Sequence, residues 1–442
     1  MMEVKGKRVM IVGLGVSGRA AARFLSARGA SLLLTDKKTD LDLSELPRGE
    51  MHLGFESAAW LRGVDFVVTS PGIPRDSILL REAVQSGIPV LGELELASRY
   101  MKAPIVGITG TNGKSTVTTM VGDILRAAGK RVFVGGNLGP PLIEAADQDV
   151  DALVIEISSF QLEWIEKFRA HVGIHLNLSD DHFERYRDLE DYGRAKARLF
   201  ENQTAGDFAI LNRDDPNVWK LRGPMRAGVI SFGLGAAPAG GDALWPDTTV
   251  IFFDVKGRRG RLDLAQMHAP GRHNLANAMA AAAAALAMEI EPRAIEEGLA
   301  RFKPLSHRIE MVHETRGIRF VDDSKGTNVG AVIEALAAVS APVILIAGGV
   351  DKGGDYSPLR KPLAEKVKLA IFIGAARDKM RAALDGSTRI ELVEKMAGAV
   401  KRAAEVAVAG DTVLLSPACS SFDQFRDYAE RGNLFKELVR AL

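Results

Sequence analysis

Three successive α/β units are what the sequence predicts, and three observations predict them. Short β-branched runs alternate with helix-period segments along the whole chain, which is the signature of parallel β-α-β units. Glycine-rich turns follow two of those runs and open helices. At roughly 150 residues per domain, 442 residues make about three domains.

The first series places strands at residues 8–12, 31–35, 65–69 and 88–91, with helical patterns between them. A second, longer series places strands at 103–109, 131–134, 152–157, 172–176 and 208–211. Between residues 223 and 271 the text shifts to Gly, Ala and Pro with short alternating runs (VIFFDV, GRLDL), which predicts an irregular or antiparallel edge on that second sheet. The Ala-rich segment 274–288 has strong helix propensity and reads as a tightly packed helix. Pro304 then precedes a third series, with strands at 319–321, 343–347, 369–373 and 412–416. Boundaries fall near 95 and 303, dividing the chain into 1–95, 96–303 and 304–442.

Composition narrows the function. Apolar residues at 47% and charged residues at 26% fit a globular chain and exclude a disordered one. Lys+Arg 57 against Asp+Glu 56 leaves a net +1, so no global field draws the chain to nucleic acid or an anionic membrane. Any anionic ligand must be held locally. A single cysteine, Cys419, precludes an intrachain disulfide, and no apolar run approaches a bilayer span. With no signal-peptide core in MMEVKGKRVMIVGLG, the expected location is the cytoplasm.

Two loops carry phosphate chemistry. Gly13-Leu-Gly15-Val16-Ser17-Gly18 lies between the strand RVMIV and the helix GRAAARFL, where glycines permit close backbone approach and the helix start offers N–H groups to a diphosphate. Asp36 ends the next strand, where an acid commonly meets a ribose; an NAD site and a ligand-free turn stand as alternatives for this loop. The stronger signal is GITGTNGKST, residues 107–116. Its backbone forms a phosphate nest, Lys114 reaches the β and γ phosphates, and Ser115 or Thr116 can ligate Mg²⁺. Ile108 stands where the strict P-loop spacing requires glycine. ATP is the predicted ligand.

Beyond the loop, Glu156 closes the strand ALVIE, and a carboxylate at the C-terminal end of a strand in such a sheet can hold Mg²⁺ beside phosphates. Taken alone, Glu156 is equally an ordinary strand-end acid, His182 is one histidine in a polar loop, and Lys196 is a solvated helix lysine.

Together these segments resemble the Mur ligase family of ATP-dependent amino-acid ligases. The resemblance rests on GITGTNGKST, EISSFQLE, NLSDDHFERY, GRAKARLFEN, APGRHNLANAMAA, PLSHRIE, VDDSKGTN, GGVDKGGDYSPL and LLSPACSSFDQF, and so spans the chain. DDSKGTN and SPACSSFDQF are similar to the D-glutamate-adding branch. The resemblance implies a Rossmann-like N-terminal domain for a UDP-linked substrate, a central P-loop ATPase-like parallel sheet and a Rossmann-like C-terminal domain.

It further implies the UDP-substrate contacts Gly15, Val16, Ser17, Gly18, Asp36 and Lys37, with Asn137, Ser158, Ser159 and Gln161 positioning the muramoyl part. ATP would lie on Asn112, Gly113, Lys114, Ser115 and Thr116, with Asn274, Asn277, Arg308, Asp323 and Lys325 completing its site. One Mg²⁺ is implied near Ser115 and Glu156, and a second near His182 and a carbamylated Lys196. D-Glutamate would meet Thr327, Lys352, Ser421 and Tyr428, a cation with hydroxyl and N–H donors suiting a dianionic acceptor. Cys419 reads as packing. The implied partners are small molecules, UDP-N-acetylmuramoyl-L-alanine and D-glutamate, met by a monomer in peptidoglycan precursor synthesis; siblings adding L-alanine, a diamino acid or folate-linked glutamate are the alternative within the family. A nicotinamide oxidoreductase and a P-loop binding module are the alternatives outside it.

Overall fold

The computed structural model describes residues 2–223, 225–267 and 271–442. Residue contacts divide them into two compact units. One comprises residues up to 177, 192–267 and 276–302; the other comprises 178–191, the described part of 268–275 and 303–442.

The first unit contains two sheets. Strands β1 (Arg8–Val12), β2 (Ser31–Asp36), β3 (Glu50–Leu53), β4 (Phe66–Thr69) and β5 (Val90–Gly92) form an all-parallel sheet in the order β3-β2-β1-β4-β5. The second sheet has β6 (Ile105–Thr109), β7 (Val132–Gly136), β8 (Ala152–Glu156), β9 (Val172–His175), β10 (Phe208–Asn212), β11 (Gly228–Phe232), β12 (Asp242–Asp247), β13 (Val250–Val255) and β14 (Arg258–Asp263). Its order is β14-β13-β12-β11-β10-β9-β6-β8-β7, with β12, β13 and β14 paired antiparallel at the edge. That edge is the one the Gly/Ala/Pro shift predicts. Central strands such as FAILN and ALVIE are apolar on both faces because helices cover both. The helix Arg272–Ala287 buries its alanine run completely, small side chains permitting close packing.

One apolar cluster runs from Val9 and Ile11 of the first sheet to Leu153 and Ile155 of the second. The short helix Glu93–Ser98 joins them and buries two carboxyls with opposite outcomes. Glu95 accepts the backbone N–H groups of Glu166, Lys167 and Phe168 at 2.8, 2.9 and 2.8 Å and the Arg99 guanidinium at 2.8 Å. Burial pushes its pKa up, but those donors outweigh burial and hold it below the usual carboxylate value. Glu93 accepts only the Ile143 N–H, at 2.8 Å, and its other oxygen has no partner among the described residues. Burial therefore pushes Glu93 up to about 7.

The second unit is built on a six-stranded sheet of β15 (Glu310–Thr315), β16 (Ile318–Asp322), β17 (Val343–Gly348), β18 (Val367–Ile373), β19 (Ile390–Leu392) and β20 (Thr412–Leu415). The order is β15-β16-β20-β17-β18-β19, parallel except for β15. Separate apolar clusters cover its two faces. Strands β11 and β12, inside the 223–271 stretch expected to be irregular or antiparallel, pair parallel to β10 and β11, and strands β3, β15 and β19 are absent from the sequence-based series. All three are short edge strands dominated by half-buried or exposed residues, so they carry no buried apolar pattern to read.

Candidate active site

The phosphate loop lies in the first unit, between β6 and the helix Lys114–Ala127. Gly113 caps that helix with φ 84°, a left-handed conformation that strains any side chain, and a Cβ there would meet Asn277 Oδ1 at 2.6 Å. The first N–H groups of a helix need partners from outside it, which makes such a start suited to an anion. Asn177, just after β9, clamps the loop: it accepts the Asn112 N–H at 2.8 Å and donates its amide to the Asn112 carbonyl at 3.1 Å. Lys114 Nζ donates to the Gly110 and Thr111 carbonyls, both at 2.8 Å. Ser115 and Thr116 are buried in the first turn.

Glu156, the buried last residue of β8, accepts the Asn137 side-chain amide at 2.6 Å. Asn137, expected against the muramoyl substrate, is thus seen orienting a carboxylate. Ser158 and Gln161 build a reciprocal cap on the helix Ser159–Leu162: the Gln161 N–H donates to Ser158 Oγ at 3.3 Å and the Ser158 N–H to Gln161 Oε1 at 2.9 Å. Ser159 is buried there.

Lys196, which by default is a surface lysine, is 1% exposed. It projects from the helix Leu189–Ala197, donates to the Gly110 carbonyl at 2.9 Å and lies 4.4 Å over the Tyr192 ring. Gly110 thus receives both lysines. Ser115 and Glu156 offer hard oxygen donors of the kind Mg²⁺ takes.

At the N-terminal loop, Gly15 caps the helix Val16–Ala27, Val16 is exposed and Ser17 half-buried. Gly18 is required by close approach, since a Cβ there would stand 1.9 Å from the Gly13 carbonyl oxygen. Asp36 uses its carboxylate to fasten this loop, accepting the Leu14 N–H at 2.7 Å and the Lys38 N–H at 2.9 Å. Lys37 pairs with Glu56 at 3.4 Å.

The second unit holds the remaining expected residues. Lys352 Nζ donates to Asp181 Oδ1 at 3.0 Å and Thr327 Oγ1 at 3.3 Å, while the Asn328 amide donates to Asp181 Oδ2 at 3.2 Å. Asp181 and Asn328 escaped sequence reading; SDDH and GTN contain them, but only the fold brings them together. His182 has φ 60° and its Nδ1 lies 2.9 Å from Glu184. Lys325 lies 3.7 Å over the Tyr428 ring, and Ser324 Oγ donates to the Tyr428 carbonyl at 2.8 Å. Asp323 accepts Ser416 Oγ at 2.7 Å; burial pushes it up to about 7, against the nearby Arg308. Ser421 is buried, its carbonyl accepting the Phe425 N–H at 3.0 Å. Asn274 donates its N–H to the Gly271 carbonyl at 3.1 Å. Cys419 is buried 3.2 Å from the Tyr356 hydroxyl, its thiol pushed up to about 11 by burial, which suits packing.

Of the residues expected around Mg²⁺, Ser115, Glu156 and Lys196 belong to the first unit and His182 to the second. His307, Glu310 and Asp322 also offer ligand atoms within 4.8 Å of one another. There the cation is already supplied: Lys436 Nζ lies 2.6 Å from Glu310 and 3.8 Å from Asp322.

Comparison with known proteins gives three consecutive family matches: a Mur ligase MurD-like N-terminal domain over residues 7–92, a Mur ligase middle domain over 108–285 and a Mur ligase glutamate ligase domain over 307–419. The UDP-N-acetylmuramoylalanine--D-glutamate ligase of Syntrophotalea carbinolica is 46% identical, covering 100% of this chain and 99% of that protein. The protein of the same name from Geotalea daltonii is 43% identical at 100% and 99% coverage. Among solved structures, a pseudomurein peptide ligase type C from Methanothermus fervidus superposes with TM-score 0.63 at 20% identity, over 99% of this chain and 100% of that one. UDP-N-acetylmuramate-alanine ligase from Thermotoga maritima gives 0.61 at 18% identity, over 98% and 99%.

Proposed function

The chain belongs to the Mur ligase family, and we infer from that premise that it joins D-glutamate to UDP-N-acetylmuramoyl-L-alanine in peptidoglycan synthesis, using ATP and Mg²⁺. The observation that carries this reading is likeness along the entire chain to relatives named for that reaction. The domain borders are placed near 95 and 303, and the substrates are small molecules. Among the described residues no helix is long and apolar enough to cross a membrane.

A carboxylate is a poor electrophile, so it must be activated. One oxygen of the L-alanyl carboxylate bonds to the γ-phosphorus of ATP while the bond from that phosphorus to ADP breaks, giving an acyl phosphate. The D-glutamate nitrogen then bonds to the acyl carbon, loses a proton, and phosphate departs with the acyl oxygen. The residues' task is positioning and charge stabilisation. Backbone N–H groups of residues 113–116 would hold the phosphates, with Asn112 beside them, and Lys114 would exchange its carbonyl partners for phosphate oxygens. Ser115 and Glu156 would hold Mg²⁺, which when bound would neutralise charge at the transferring group. Asn137 fixes the Glu156 carboxylate for that purpose. Lys352, Thr327, Ser421 and the chain at Tyr428 receive the two carboxylates of D-glutamate. Arg308, Asp323, Lys325, Asn274 and Asn277 complete the nucleotide site, and residues 15–18 with Asp36 and Lys37 receive the UDP end.

Lys196 would act as a carbamate, its oxygen and His182 each offering a ligand to a second Mg²⁺. The ammonium first yields a proton, the free Nζ pair bonds the carbon of CO₂, a π pair moves onto oxygen, and the nitrogen loses a second proton to solvent. The burial of Lys196, 1% exposed beside the loop rather than on the surface, supports this reading.

An acceptor screen tests the reaction. With ATP, UDP-N-acetylmuramoyl-L-alanine and single amino acids, D-glutamate alone is expected to give a new product mass with stoichiometric phosphate. A product with L-alanine or a diamino acid instead overturns the assignment.

A further inference from the structure

Strands β6 and β9 are adjacent and parallel, with Thr109 opposite His175. Two residues earlier, Gly107 and Gly173 mark which way this face looks. A Cβ on Gly107 would meet Leu199 at 2.9 Å, and one on Gly173 would meet Phe200 at 2.8 Å and Gln203 Nε2 at 3.3 Å. Strand side chains alternate with period two, so Thr109 and His175 face the same layer, residues 189–203, from which Lys196 projects.

Both residues are 0% exposed. Neither ring nitrogen of His175, nor Thr109 Oγ1, has a hydrogen-bond partner among the described residues. Buried polar atoms in folded proteins are nearly always paired, so neighbouring orphans on two strands point to a group they receive in another state of the site. Burial, with Lys196 and Lys114 nearby, pushes His175 down to about 3. A neutral imidazole carries one N–H and one acceptor nitrogen, and the threonine adds an O–H. This wall can therefore offer two donors, the ring N–H and the threonine O–H. An ammonium on Lys196 brings more donors and no acceptor, whereas a carbamate brings two oxygens.

We infer that His175 and Thr109 are positioning residues that donate hydrogen bonds to the Lys196 head group in its carboxylated form, fixing one oxygen and leaving the other for Mg²⁺. The inference rests on the carboxylation of Lys196 proposed above. Its logic is that of carboxylates at metal sites, whose orientation depends on the hydrogen bonds made behind them.

The test needs neither nucleotide nor metal. Full-length protein is titrated with ¹³C-bicarbonate, and the carbamate carbon is followed by NMR, with Lys196→Arg identifying the resonance that belongs to this side chain. His175→Leu is expected to need at least about tenfold more bicarbonate for half occupancy, and Thr109→Val about threefold more. His175→Gln, which keeps a donor, is expected to stay within about twofold of the parent. The thermal midpoint of His175→Leu should not fall, since the leucine replaces a ring without partners. A parent protein with no Lys196-dependent resonance overturns the carboxylation and the inference together. A parent resonance that persists with unchanged titration in His175→Leu and Thr109→Val overturns the inference alone.

Discussion

Two lysines assigned to anion binding, one in each compact unit, are held in opposite ways. Lys114 gives its ammonium protons to two neutral carbonyls, Gly110 and Thr111, which lie four and three residues before it. Lys352 gives its protons to a carboxylate 171 residues away, and both side chains of that pair are largely shielded, at 17% and 7% exposure. The first arrangement comes with its loop, and trading these two bonds for phosphate gives up neutral hydrogen bonds. The second is a nearly buried ion pair, in which removing one partner strands the other charge. On the reading proposed above, the loop lysine would meet phosphate and Lys352 a carboxylate of the acceptor.

The largest expected effect breaks the first arrangement. Lys114→Ala should lower turnover by about a thousandfold or more, measured as phosphate release, because transition-state charge loses its cation. Calorimetry should show binding of the UDP-linked substrate changed by no more than about threefold, since Gly15 to Gly18 lie on a different sheet. Asn137→Ala should raise the Mg²⁺ concentration for half-maximal rate about tenfold, the usual consequence of removing the group that orients a ligating carboxylate. Lys352→Ala should raise the KM for D-glutamate about tenfold and leave the KM for ATP within about twofold, in line with the cost of unpairing a buried charge. If both KM values rise together, the two regions are not separable in the way their hydrogen bonds indicate.

A control outside both regions sharpens the contrast. Glu93 has a raised native pKa of about 7 against 4.5, so the native state binds the extra proton and gains stability below about pH 4.5. That stability is lost as pH rises through about 7. Glu93→Gln keeps an acceptor for the Ile143 N–H and cannot ionise, so at about pH 8 it should be more stable than the parent by roughly 1–3 kcal/mol, the gap closing below about pH 5. Thermal midpoints at the two pH values measure this, and both KM values should stay unchanged.

The same contrast explains what could be read in advance. The phosphate loop, Glu156 and the three-sheet alternation were legible because each is local: a strand, a turn and a helix within some fifteen residues, or a burial pattern repeated along a strand. The antiparallel edge near β13 was legible for the same reason. Strands β3, β15 and β19 were not, because edge strands are held by one neighbour and need no apolar repeat. Lys196 looked like a solvated lysine because its helix is polar overall, and only tertiary packing buries it. Asp181 with Asn328, and Asn137 with Glu156, are pairs whose meaning lies in contacts across the fold, which no spacing rule encodes. His175 gave no signal at all: a histidine ending an apolar strand is unremarkable until its neighbours are known.

Asn177 fastens the phosphate loop with two hydrogen bonds to Asn112, and it is also the last residue of the first unit before the backbone crosses at Leu178 into the second. One amide side chain therefore fastens the loop to the backbone just before the chain leaves this unit, so whatever fixes Asn177 also fixes the Asn112 N–H and carbonyl.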